Sequence, residues 1–193
     1  MATDWLVGQT RASAAAQRIH RAAATLIARR GTDDFTINEI AAMVHCSPAT
    51  VYRHAGGKDQ IREAVLTQMS ARIVGDVFAA IDGLSGADRI VTAMRIGIDR
   101  IRTEPITQRM MTTTTAPPHW VENSSVIAAV TAEMIGCAPE DVAVKWFIRS
   151  VLALCQWPVG DEDVEREILE RFVGPVLTPS SSPSTGQPSN VGV

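Results

Sequence analysis

Residues 36–58 read TINEIAAMVHCSPATVYRHAGGK, and this stretch decides the fold. It spells two short helices joined by a tight turn. Thr36 followed by Glu39 is a capping box: the hydroxyl takes an orphan backbone N–H, and the carboxylate reaches back to the cap. Ile37, Ile40, Ala41 and Val44 recur at i, i+3, i+4 and i+7, one buried helical face. His45 and Cys46 make the turn. Ser47 is a second N-cap, and Pro48 stands at the first helical position, where a missing N–H costs nothing. The next turns carry Ala49, Thr50, Tyr52, Arg53 and His54, small or hydrogen-bonding side chains suited to base edges and phosphates. Lys58 closes the segment as a point charge for a phosphate. An ordinary αα-corner shares the two helices, but the double caps, the polar face and Lys58 together favour nucleic acid.

The amphipathic helix before this stretch belongs to the same unit. From about Arg11 to Arg30, the residues Ile19, Ala22, Ala23, Leu26 and Ile27 form an apolar stripe. Arg18, Arg21, Arg29 and Arg30 lie mostly off it, and Gly31 is the expected left-handed stop. Residues 10–57 therefore read as a three-helix DNA-binding domain, with the helix-turn-helix at helices two and three.

The run from Ile19 to about Leu66 resembles the N-terminal domain of TetR-family transcriptional regulators. The residues that carry the resemblance are Gly31, Thr36, Ile40-Ala41, Ser47, Thr50, Tyr52, His54 and Lys58. It implies DNA contacts from Thr36, Ser47, Pro48, Ala49, Thr50, Tyr52, Arg53, His54 and Lys58, with Tyr52, His54 and Lys58 holding the phosphate backbone. There are two departures. The family usually has glycine in the turn where this chain has His45, a residue that tolerates left-handed geometry better than most. It usually has phenylalanine after Tyr-x-His where this chain has Ala55, followed by Gly56-Gly57. That removes a core aromatic and implies a looser joint between head and body.

Charge is distributed in keeping with this reading. The net charge of −3 argues by itself against a DNA binder. Yet residues 1–60 hold seven Arg and Lys against five Asp and Glu, while residues 61–193 hold eleven against sixteen. A basic head near DNA and an acidic body facing solvent account for that polarity. Cys46, Cys137 and Cys155 have no paired spacing, which suits a reducing cytoplasm. No signal peptide is expected from MATDWLVGQ, and the apolar stretches near residues 150–155 are too short to span a membrane.

Residues 58–177 read as helical throughout, with Pro and Gly at the joints. Ile61 to Ile73 gives a long fourth helix, Ile90 to Ile101 a fifth, and Pro105 opens another through Met110 and Met111. Pro117-Pro118 break it. A further helix runs from about Val121 to Ile135, Gly136 ends that, and Pro139 begins the next. There Val144, Phe147, Ile148, Val151, Leu152 and Cys155 make a clean stripe that Pro158 stops. Val164, Ile168, Phe172 and Val176 give a last helix. The tail from Thr178 is Ser/Pro/Gly-rich without a core former, so residues 178–193 are expected to be disordered. The fold class is all-α: a helix-turn-helix head plus a C-terminal helical domain for ligand sensing and dimerisation.

Within that domain, Met94, Met110, Met111, Trp120, Met134, Trp146 and Phe147 are candidates to line an effector pocket; ordinary core duty is the competing reading for each. The apolar stripes of the last two helices, through Phe147, Val151, Cys155, Ile168 and Phe172, either fill the subunit's own core or meet a second copy. The resemblance implies a homodimer, which reading two half-sites about 34–36 Å apart requires. No nucleophile elbow, phosphate-binding glycine loop or paired carboxylates point to an enzyme. His45-Cys46 is a poor metal pair, since no further Cys or His stands at ligand spacing, and no cofactor is expected. The expectation is a ligand-responsive repressor that binds a near-palindromic double-stranded DNA operator and senses a small-molecule effector. The rival is a helical adaptor or ligand-binding protein on the same fold with little or no DNA binding.

Overall fold

The stripe Ile19, Ala22, Ala23, Leu26 and Ile27 is buried and forms the floor on which the N-terminal helices lie. The computed structural model describes the backbone of residues 4–113 and 124–177, and side chains within 12–112 and 124–177. The long first helix, α1 (Asp4–Arg30), stops at Gly31, whose φ of 112° only glycine adopts without strain. Then come α2 (Ile37–Met43), α3 (Pro48–Ala55), α4 (Lys58–Ile81), α5 (Gly86–Thr103) and α6 (Pro105–Thr113). After the undescribed stretch come α7 (Ser125–Ile135), α8 (Val142–Gln156) and α9 (Glu162–Ile168). A π turn, Leu169–Val173, leads into α10 (Gly174–Leu177). The described residues contain no strand.

Two apolar cores form. The head core joins the α1 stripe to Phe35, to Ile37, Ile40 and Ala41 of α2, and to Val51 of α3. It also takes Ile61, Val65 and Met69 from α4 and Ile106 from α6. The body core begins further along α4, at Val77 and Ile81, and is filled by α5, α7, α8 and the last helical segment. Helix α4 thus runs from one core into the other. By length and composition alone α4 is long and apolar enough to cross a membrane, a stretch the sequence reading did not single out. Here its apolar positions face the two cores, and its Arg72 and Asp76 pair with Glu104 and Arg100.

Arginines tie the body helices end to end. Arg89 donates to the carbonyls of Ile81, Glu133 and Met134, satisfying the C-terminal ends of α4 and α7. Arg102 holds Glu165 through both carboxylate oxygens, at 2.6 and 2.9 Å, and also donates to the Leu154 carbonyl, joining α5 to α8 and α9.

The sequence expectations need correcting at three places in the body. Helix α8 begins at Val142, because the Asp141 carboxylate accepts from the Ala143 N–H and caps it; Pro139 lies in the turn before. Helix α7 begins at Ser125, capped by Ser124, while Val121 and the Pro117-Pro118 break lie outside the described residues, as does the tail from Thr178. The third concerns the last helix. Of the stripe that could either fill the subunit's core or meet a second copy, Val164, Phe172 and Val176 are exposed, and the core is filled by Leu169, Val173 and Leu177, which the sequence reading did not pick out. Leu169, Val173 and Leu177 follow the same four-residue spacing, so periodicity alone could not choose between the two faces. The π turn reorients this segment.

Candidate nucleic-acid interface

The helix-turn-helix is set by two caps and a turn. Thr36 Oγ1 accepts from the Glu39 N–H at 3.2 Å, and the Glu39 carboxylate accepts from the Thr36 N–H at 2.9 Å. Arg30 of α1 clamps the same carboxylate at 2.6 Å. That pairing, with the Thr36 hydrogen bonds, holds the Glu39 carboxyl below the usual carboxylate range. The side chain of Thr36 is therefore committed to the cap.

The turn into α3 passes through His45 at φ 55°, the one described non-glycine residue in the left-handed region. The Cys46 N–H returns to the Ala41 carbonyl at 2.9 Å and closes the turn. Ser47 Oγ then accepts from the Thr50 N–H at 3.2 Å and lies 2.9 Å from the Thr50 hydroxyl. Two of the expected contact residues, Ser47 and Thr50, thus form the N-cap itself. Pro48 follows at the helix start.

One residue anchors α3. Val51 is fully buried in the head core. Turning about that anchor, Pro48, Ala49, Tyr52 and Arg53 are left exposed, with Tyr52 57% accessible. His54 is half-buried at the last turn, where Arg53 and His54 also suit the negative end of the helix dipole. The structure therefore brings Pro48, Ala49, Tyr52 and Arg53 together on one accessible face.

Lys58 stands apart from that face in its bonding. Its ammonium donates to the Asp33 carbonyl at 2.5 Å and lies 5.1 Å from the centre of the Phe35 ring. Arg62, one turn on in α4, pairs with Asp33 and Asp59. These bonds fasten the start of α4 to the loop between α1 and α2. Phe35 supplies a head-core aromatic, and Ala55 packs against the same core. The sequence reading missed Phe35, though an apolar residue just before a capping box is a recognisable staple position. It also missed Arg18, whose guanidinium donates to the Val44 carbonyl at 3.3 Å and so places a cation at the turn before α3.

The candidate pocket and interface residues separate. Met94, Met134 and Phe147 are buried together in the body core, with Met111 packed against it. Met110 packs instead against the head core, because α6 reaches the head from its first turn at Ile106. Trp146 is exposed, and Trp120 lies outside the described residues. Of the interface candidates, Phe147, Val151 and Cys155 fill the subunit's own core, Ile168 is half-buried, and Phe172 points outward. Burial pushes the Cys155 thiol up to about 12. Among the described residues no group of His, Cys, Asp and Glu is placed to hold a metal ion.

Residues 19–65 match the profile of the bacterial regulatory proteins, tetR family. Two HTH-type transcriptional regulators from two strains of Mycobacterium tuberculosis, both uncharacterized, are each 31% identical to the chain over 189 residues, covering 93% of it and 93% of themselves. The fold is similar to the crystal structure of the TetR family repressor AlkX from Dietzia sp., a protein implicated in biodegradation of n-alkanes. That match has a TM-score of 0.52 and 20% identity, over 83% of this chain and 93% of the other. The chain belongs to the TetR family of helix-turn-helix transcriptional regulators.

Proposed function

We propose that this regulator is a homodimeric, ligand-responsive repressor that acts in the cytoplasm on a near-palindromic operator. The observation that carries the DNA-reading part is the exposed face of α3. Pro48, Ala49, Tyr52 and Arg53 stand clear of the core on a helix pinned by Val51 and capped by Ser47. In this arrangement the first turn of α3 enters the major groove, Arg53 reads a base edge or a phosphate, and Tyr52, His54 and Lys58 hold the backbone. Arg18 adds a cation beside the turn.

The dimerisation reading takes support from apolar groups that the subunit leaves uncovered on the body. Val142 and Trp146 lie one turn apart on α8, and Phe172 and Val176 one turn apart on the last segment; all four are exposed. An isologous seam built from them gives each patch its own copy as partner and sets the two α3 helices as a symmetric pair. The repressor reading takes support from the structurally similar AlkX, which is a repressor. The effector is proposed to lodge among Met94, Met111, Met134 and Phe147, where flexible thioethers can repack around a guest. Its differential affinity for two body conformations would shift the head through α4, which enters both cores.

Selection of genomic fragments by the purified protein, followed by titration of the winning operator at several salt concentrations, tests this reading. A two-fold symmetric site and a steep salt dependence are expected. Arg53→Ala should relax base preference at defined positions, costing about 1–3 kcal/mol each. Failure to enrich any fragment would leave the adaptor reading in its place.

A further inference from the structure

Between α1, α4 and α6 lies a cleft of about 380 Å³, a size within the range of small-molecule sites. It is separate from the α3 face and from the methionines of the body core. Ala24, Val65 and Ile106 give it apolar walls. Arg21 and Arg72 line it from different helices, and no carboxylate is among its described walls. Neither arginine is firmly held. The Arg21 Nε donates to the Gln17 carbonyl of its own helix at 3.4 Å. Arg72 is 69% exposed and reaches Glu104 at 3.4 Å. Both distances are at the long end for a charge-assisted bond. At the same cleft His20 and Gln68 link α1 to α4 at 3.1 Å. Burial lowers the His20 imidazole below its ordinary range, so at neutral pH the positive charge of the cleft comes from the two arginines.

We propose that this cleft binds a small organic anion, a carboxylate on a compact apolar body, and that its occupancy lowers the affinity of the protein for its operator. Two arginines beside an apolar recess match that chemistry: the carboxylate takes the forked N–H donors and the carbon skeleton lies against Ala24 and Ala71. A bound carboxylate competes with Glu104 for Arg72. Glu104 directly precedes α6, and Ile106 and Met110 of α6 are packed into the head core. Loosening the Arg72–Glu104 tie therefore frees α6 against α4 and passes the change to the helices that position α3. The effect on the operator rests on the regulator reading; the binding of the anion does not.

Calorimetric titration of the full chain with benzoate and with hexanoate tests the site, with benzyl alcohol and hexan-1-ol as uncharged counterparts. The acids should bind, and the alcohols about tenfold more weakly or worse. Arg72→Gln and Arg21→Gln should each weaken the acids by about tenfold, while Arg166→Gln, an exposed arginine of α9 outside the cleft, should leave them unchanged. Arg72 is on the surface, so its variant keeps the fold, and circular dichroism checks this. Absence of binding by both acids at concentrations on the order of millimolar would overturn the inference. So would equal binding of acids and alcohols, or arginine variants that bind like the parent. Operator binding measured without any acid is scored separately. A protein that binds its operator but neither acid keeps the regulator reading and loses the cleft. One that binds the acids through Arg21 and Arg72, yet keeps its operator affinity unchanged, loses the proposed regulatory effect.

Discussion

The register of the last helical segment can be tested by a pair of truncations three residues apart. Leu169 is completely buried in the body core and Phe172 is 58% exposed. Leu169→Ala leaves a cavity and should cost the fold about 2–5 kcal/mol. At a urea slope of about 2 kcal/mol/M, that moves the unfolding midpoint down by roughly 1–2.5 M. Phe172→Ala removes a larger side chain from a place where the subunit leaves more than half of it uncovered. Its direct cost to subunit folding should stay within about 0.5 kcal/mol. Its effect should appear in assembly, because Phe172 lies on the proposed seam. Loss of one aromatic anchor should raise the dimer dissociation constant by about tenfold, equivalent to about 1.4 kcal/mol. Urea titrations at several protein concentrations, paired with sedimentation velocity, separate the two effects. Leu169→Ala should shift the midpoint about equally at every concentration, whereas the shift in Phe172→Ala should be small where the protein is monomeric and grow toward the equivalent of about 1.4 kcal/mol as concentration rises past the dimer dissociation constants. The reasoning is refuted if Phe172→Ala destabilises as much as Leu169→Ala while sedimentation finds the same oligomer.

His45→Gly should stabilise the head by up to about 1 kcal/mol, because φ 55° strains histidine and suits glycine, and differential scanning calorimetry would register it as a small rise in Tm. Lys58→Ala should weaken specific and random DNA alike and flatten the slope of log K against log salt by about one unit. It should also lower thermal stability slightly, since the ammonium is held by Asp33 and the Phe35 ring in the free protein. At pH 8 the Cys155 thiol, raised to about 12, should stay protonated and resist a thiol reagent until the protein unfolds, whereas Cys46 at the turn should label in the native state. A mass-spectrometric time course that finds Cys155 labelled first would contradict its burial.

The head was legible because its signals are local. A capping box, a serine cap and a proline at the helix start are each read within four residues, and Val51 falls where a buried anchor must be. What stayed hidden depends on long-range packing. Lys58 reads as a free cation until the loop at Asp33 is seen beside it. Met110 reads as one of a pair with Met111, yet they turn to different cores. Val164, Ile168, Phe172 and Val176 have a helical period as good as that of Leu169, Val173 and Leu177, and no sequence rule announces the π turn between them. The arginine ties of Arg89 and Arg102 join residues far apart in the chain, so no spacing could suggest them.

The path of the chain between the two cores constrains how such a protein can be recombined. The head core draws on α4 and α6, while α5, which lies between them in sequence, belongs to the body. No single crossover point therefore separates a complete head from a complete body. A hybrid joined at Gly57 would take Ile61, Val65, Met69 and Ile106 from a foreign parent, and all four are buried against the head. At about 1.5–3 kcal/mol for each buried side chain, the mismatch puts at risk roughly 6–12 kcal/mol, as much as the whole stability of a typical domain. If the outer face of α3 reads DNA as proposed, new specificity is thus more accessible through point changes there, which touch neither core, than through exchange of heads between relatives.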